Sequence, residues 1–241
     1  MSLGTLVLWA QPAPDAARHP LLDNTERARC DRFRLPLDSA RHATARVLAK
    51  RAAAALLDLR PPDLVVVPDS GATSGRPTLR RLDGGPLPLH LSISHAGGLV
   101  GVALSPAPCG LDVQDVEALR PLLGSDLAFT PAERTEIAQS SPDDQVALAA
   151  RWWTAKEAVL KCVGRGLLEA AELLDVRTSP ASVMGAGIAR VIEWQALAPA
   201  AGHAAAVARP LGADAALQIV HVEDIDEPFD GQTRLSTAAT S

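Results

Sequence analysis

The sequence predicts an α+β protein of two α/β halves, each with one long helix and several short strands. Three observations carry this. Helical patterning recurs at length twice, over residues 39–58 and 142–163. Short apolar or β-branched runs bounded by Gly and Pro lie around each helix. Between the two sets, Pro106, Pro108 and Gly110 break the pattern and place a boundary near Cys109. Residues 1–109 form the first half, 110–224 the second, and 225–241 a small, polar tail expected to be mobile.

Taken in order, residues 3–9 read as a strand and 25–33 as a charged helix carrying Arg27, Arg29 and Arg32. Asp38 is placed to cap the long Ala/Leu/Arg helix that follows. Residues 64–67 are a short β-branched run, and 68–77 a turn-rich loop. Residues 90–94 and 99–104 flank Gly97-Gly98, which suits a hairpin. In the second half Asp112 sits on a strand. Thr130-Pro131-Ala132-Glu133 is a helix start with a capping box. The helix over 142–163 ends at Gly164–Gly166. Residues 173–177, 189–196, 204–208 and 216–222 are strand candidates.

Composition narrows the function classes. With 47% hydrophobic and 21% charged residues in a chain of 241, the protein is globular with a sizeable core. A net charge of −5 argues against nucleic acid as a general partner. Residues 84–111 lack Asp, Glu, Lys and Arg, but their prolines, histidines, serines and glycines fit buried strands better than a membrane span. Cys30, Cys109 and Cys162 are too scattered for a disulfide framework or a zinc site, so reduced thiols and a cytoplasmic location are expected. The apolar start of the chain has no basic flank, so no signal peptide is expected.

Chemistry concentrates in Trp153-Thr154-Ala155-Lys156-Glu157-Ala158-Val159-Leu160-Lys161. Trp153, Glu157 and Lys161 fall at i, i+4 and i+8, on one helix face. A carboxylate holds a hard cation and an ammonium holds a phosphate oxygen. Upstream, Gly110-Leu111-Asp112-Val113-Gln114-Asp115 alternates, so Asp112 and Gln114 point one way and Asp115 the other. Farther upstream lies Ser92-Ile93-Ser94-His95-Ala96-Gly97-Gly98. Ser94 and His95 are neighbours on a strand and face opposite ways, a poor nucleophile pair. Gly97-Gly98-x-x-Gly101 lacks the context of a nucleotide loop. Alone, Asp112 and Glu157 would read as a strand end and a solvated helix face.

In this order, the three motifs resemble those of the 4′-phosphopantetheinyl transferases, and most closely the larger class that activates surfactin synthetase and similar assembly lines. The motifs span residues 92–161, with weaker similarity back through Gly75-Arg76-Pro77 and Arg41 to Arg29 and forward through Gly164–Leu168. The resemblance implies a pseudo-twofold axis relating the halves, with the active site in the cleft between them. It implies a Mg²⁺-dependent enzyme, with Mn²⁺ as a plausible substitute. The reaction would move the 4′-phosphopantetheine arm from coenzyme A to a serine of an acyl or peptidyl carrier protein, releasing adenosine 3′,5′-bisphosphate.

The implied roles follow residue by residue. Asp112, Gln114 and Glu157 would bind the metal. Glu157 would also help take the serine proton, and Lys161 would neutralise the departing phosphate. Arg29, Arg41, Arg76, Ser94 and His95 would hold coenzyme A, with Lys156 in support. Gln114 departs from the acid that is usual in the family at this position, though some members do without it; an amide oxygen can ligate but brings no charge. The alternative is a non-catalytic homologue that binds coenzyme A or a carrier domain. A carrier-docking patch is expected over 117–140, from Leu119, Leu122, Leu123, Leu127 and Phe129 with Arg120 and Arg134. The larger class folds both halves in one chain, so a monomer is expected, without membrane association.

Overall fold

A computed structural model describes residues 4–68, 76–164, 174–185, 188–214, 216–227 and 229. The α+β class expected from the sequence is observed. The described residues divide into two compact units: residues 4–68 and 76–106 together with those from 214 on, and those within 107–213.

The first unit opens with β1 (Thr5–Ala10), whose six residues are all buried. Helix α1 (Asn24–Cys30) starts at Asp23, which forms a reciprocal capping box with Glu26. The 22-residue helix α2 (Pro36–Leu57) begins earlier than expected. Pro36 takes the first helical position and Leu35 the cap position, while Asp38 lies inside the first turn and pairs with Arg41. Strands β2 (Leu64–Pro68) and β3 (Pro77–Arg81) form a separate antiparallel pair. Strands β4 (His90–Ala96) and β5 (Leu99–Ser105) make the expected hairpin, with Gly97 at φ 52° in the two-residue turn. Alanines on α2 (Ala43, Ala45, Ala49, Ala52, Ala53) let it lie close on Leu6 and Leu8 of β1 and on Val100, Val102 and Leu104 of β5. Within this core, Lys50 of α2 is 1% exposed and ties down α1 through Glu26 at 2.5 Å.

The second unit holds β6 (Gly110–Asp115), α3 (Pro131–Gln139), α4 (Pro142–Val163), β7 (Ala181–Gly185), β8 (Ile188–Leu197) and β9 (His203–Pro210). Its antiparallel sheet runs β6-β9-β8-β7. Helix α4 has the bounds expected from the sequence, from the Ser141 cap to Gly164 in the left-handed region at φ 77°. Ala155, Ala158, Val159 and Cys162 of α4 pack with Ala206 and Ala208 of β9 and with Ile192 and Trp194 of β8. Residues 174–176 form no strand, contrary to expectation. Leu174 and Val176 are buried, and the Val176 N–H donates to the Glu133 side chain at 3.1 Å rather than to a sheet. Arg177 is not in a strand either, while residue 173 of that candidate and residues 165–166 of the expected stop lie outside the described residues.

The chain then returns. Strand β10 (Leu217–Val222) pairs in parallel with β1, giving a first-unit sheet of order β10-β1-β5-β4. Residues 216–222, placed by the sequence reading with the second half, therefore stand in the first unit. The start of the expected tail is anchored too. Asp226 meets His19 at 2.8 Å, and Arg51 donates to the carbonyls of Asp226 and Glu227. The remainder of the tail, apart from Phe229, lies outside the described residues. No helix among the described residues is long and apolar enough to cross a membrane.

Candidate active site

Gly110, Asp112 and Gln114 are alternate residues of β6 and share the sheet face on which α4 packs. The reason for the glycine is steric. A Cβ at Gly110 would lie 1.9 Å from the Ala158 carbonyl oxygen and 2.6 Å from the Cys162 nitrogen. The helix backbone thus comes down directly on β6, and the residues just before these two, Glu157 and Lys161, are carried over Asp112.

The Lys161 ammonium is 2.6 Å from Asp112 Oδ1 and donates to the Leu111 carbonyl at 3.1 Å. Gln114 Nε2 donates to Asp112 Oδ2 at 3.1 Å, as the alternation requires. Glu157 is 1% exposed, and its Oε1 has no hydrogen-bond partner. Its carboxyl is pushed up to about 7, first by burial and then by the neighbouring Asp112 charge, with Lys161 pulling the other way. A side chain poised at neutral pH beside a charge partner has the character of a general base. Trp152 is buried in the core of this unit, and Trp153, half-buried, packs against it.

Two features of this constellation suit a hard divalent cation: an orphaned buried carboxylate oxygen and a second carboxylate whose charge opposes the ionisation of the first. Such cations take oxygen ligands and share them with phosphates and water. The donor set is two carboxylates and an amide, and the described residues hold no group of three or more His, Cys, Asp or Glu side chains.

Lys156 departs from the expected supporting role at the ligand. It is wholly buried, 2.6 Å from the equally buried Glu133 of α3, with its ammonium 5.6 Å from the centre of the Phe129 ring. Glu133 also accepts from the backbone N–H groups of Thr130 and Val176. Lys156 therefore fastens α3 and residues 174–176 to α4 rather than reaching a ligand.

In the first unit, Arg41 of α2 donates twice to the Gly97 carbonyl in the β4–β5 turn and pairs with Asp38 at 3.0 Å. The Arg29 guanidinium lies 5.7 Å from the centre of the Phe33 ring, which tilts against His42 at 5.2 Å. Ser94 is buried and His95 exposed, consistent with opposite strand faces. Arg76 is half-buried ahead of β3 and, after burial, is the second cause that lowers the His90 imidazole. The sequence reading missed His42 and Arg46. Burial, then the charges of Arg46, Arg29 and His95, drive the His42 imidazole down to about 3, and its buried Nε2 has no partner. The signal was available as His42 and Arg46 at helical i, i+4 spacing one residue past Arg41. A cluster whose positive groups repel one another is suited to an anion.

His42 also gives a stability prediction. Its folded-state value lies below the unfolded one, so between about pH 6.5 and 3 the unfolded chain binds the extra proton and stability falls as pH falls. His42→Asn should flatten the acid limb of a stability-against-pH curve, by about 1 kcal/mol per pH unit in that window. Parallel limbs for the two proteins would show that His42 titrates normally.

The segment expected to dock a carrier is only partly exposed. Leu119 and Phe129 are buried, Leu122 and Leu123 pack against the second core, and Leu127 is 77% exposed. Arg120 pairs with Glu117 at 2.7 Å, and Arg134 donates to the Phe129 carbonyl.

Comparison with known proteins agrees with this geometry. The sequence model of the 4′-phosphopantetheinyl transferase superfamily matches residues 108–208, the segment carrying β6, α3, α4 and β7–β9. The 4′-phosphopantetheinyl transferase psf-1 of Bacillus pumilus is 26% identical over 148 residues, 61% of this chain and 60% of that protein. The 4′-phosphopantetheinyl transferase of Bacillus subtilis is 29% identical over 147 residues, 59% of this chain and 60% of that protein. The matches thus span less than two thirds of either relative. Residues 108–208, which include the strand of Asp112 and the helix of Glu157 and Lys161, are thus the part of the chain that is similar to the 4′-phosphopantetheinyl transferase superfamily.

Proposed function

We propose that the protein transfers the 4′-phosphopantetheine arm of coenzyme A to a serine of an acyl or peptidyl carrier protein. The observation that carries this is the convergence of Asp112, Glu157 and Lys161 within the segment that matches the superfamily. The carrier serine oxygen forms a bond to the β-phosphorus of coenzyme A. The bond to the bridging oxygen breaks, and adenosine 3′,5′-bisphosphate departs. Glu157 takes the serine proton, directly or through a water, and its high proton affinity suits that task. Lys161, a quarter exposed on a flexible stem, meets the charge that develops on the leaving phosphate. Arg29, Arg41, Arg76, Ser94 and His95, with His42 and Arg46, bind the phosphates of the nucleotide end; an arginine fork suits such oxygens.

A Mg²⁺ ion, or Mn²⁺ in its place, would be held by Asp112 and Glu157 with Gln114 beside them and would supply positive charge to the diphosphate. Leu127 is the apolar contact offered to the carrier. The same reading makes the protein a monomer and cytoplasmic, the location supported by three buried free cysteines. The test is the mass of an apo carrier after incubation with the protein, Mg²⁺ and coenzyme A. A fatty-acid carrier and a peptide-synthetase carrier should be run in parallel, and at least one should gain the arm. Coenzyme A binding without any gain of mass would leave only the non-catalytic reading.

A further inference from the structure

Both oxygens of Asp112 are occupied by donors of its own unit. Oδ1 faces the Lys161 ammonium at 2.6 Å, and Oδ2 accepts from the Gln114 amide nitrogen at 3.1 Å. The amide therefore presents its N–H to the carboxylate, with its oxygen turned elsewhere. A divalent cation approaching Asp112 meets a positive charge and a donor group instead of free lone pairs. Glu157 alone keeps an oxygen without a partner. Counting charges gives two carboxylates and one ammonium, a net of −1 at most. That is little to hold a dication that gives up its water reluctantly.

We propose that Lys161 and Gln114 lock Asp112 against a lone divalent cation, so that the cation loads only together with a diphosphate. This rests on the function proposed above, because the diphosphate is that of coenzyme A. Its negative charge draws Lys161 off Asp112, which the length and partial exposure of the lysine allow. The freed Oδ1 and Glu157 would then hold the cation together with the diphosphate. Turning the Gln114 amide over would add a neutral oxygen. A glutamate at 114 would set a second negative charge against Asp112 and hold no such lock. The neutral residue at this position thus selects the order of loading and is not a mere loss of a ligand.

The test is a Mn²⁺ titration followed by the electron paramagnetic resonance signal of the free ion. It uses the full chain with no carrier present, so that no turnover occurs. The protein alone should bind Mn²⁺ at least about tenfold more weakly than the protein saturated with coenzyme A, after correction for Mn²⁺ held by coenzyme A itself. Without coenzyme A, Lys161→Gln, which keeps a donor but drops the charge, should bind Mn²⁺ about tenfold more tightly than the parent. Gln114→Glu should do the same. Equal Kd with and without coenzyme A would overturn the proposal, as would two variants that leave the Kd of the protein alone unmoved. Coenzyme A that fails to bind in calorimetry would sink the functional reading instead, while the two variants titrated without it would still decide whether the lock exists.

Discussion

Glu157→Gln should abolish transfer and, at the same time, stabilise the metal-free protein at pH 8. The carboxyl is raised from 4.5 to about 7, so its ionised form is disfavoured in the fold relative to the unfolded chain. A raised carboxyl makes its full contribution to stability below the unfolded value, and that contribution is lost as pH rises through the folded value. Above pH 7 the parent carries a buried charge facing Asp112, and the amide does not. The gain should be about 2 kcal/mol at pH 8 and close to zero at pH 4. Melts in a chelating buffer at both pH values check the stability, and carrier mass checks the activity. A variant that is inactive but less stable at pH 8 would show that favourable contacts of the Glu157 carboxylate outweigh its burial and the Asp112 repulsion. Near-normal transfer would remove Glu157 from the role of base.

Gly110→Ala should have the largest effect on the fold of the second unit. One methyl group would have to occupy the space of the Ala158 carbonyl, and neither the helix backbone nor the strand can yield as a side-chain tip does. Overpacking of this kind costs about 1–3 kcal/mol, and the upper end applies where backbone meets backbone. A lifted α4 also carries Glu157 and Lys161 away from Asp112. Transfer should therefore fall more than a hundredfold even in the fraction that remains folded, on the general sensitivity of catalysis to roughly 1 Å misplacements. Comparing the specific activity of the soluble, folded fraction with its urea midpoint separates the two effects. Normal activity in a destabilised protein would mean that the site tolerates the shift.

How much of this was legible in the chain depended on whether the cause was local. Helix α4 could be bounded from the sequence because Ser141, Pro142 and Gly164 act on their own neighbours. The start of α2 was misplaced because Asp38 resembles a cap, whereas the proline two residues before it sets the first turn. Residues 173–177 resembled a strand because apolar content is visible, while the partner that captured the Val176 N–H, Glu133, lies 43 residues away. The same glutamate hid the burial of Lys156. Strand β3, with Pro77 at its start and two arginines at its end, carried no strand signal that outweighed its turn-like composition. The alternation that put Asp112 and Gln114 on one face appears in the structure as their hydrogen bond.

The return of the chain at β10 governs the order in which the protein can be made. The second unit is contiguous over residues 107–213 and can complete its sheet as soon as those residues leave the ribosome. The first unit cannot, because β1 waits for residues 217–222 to supply its parallel neighbour. At typical synthesis rates that wait is on the order of ten seconds or more. Throughout it, Thr5–Ala10 is an uncharged, apolar strand with an unpaired edge, the kind of segment that recruits other chains. The nascent protein is therefore most exposed to aggregation at its oldest residues. A stall or truncation before residue 217 would release a chain with Asp112 and Glu157 in a folded unit and its first sheet open.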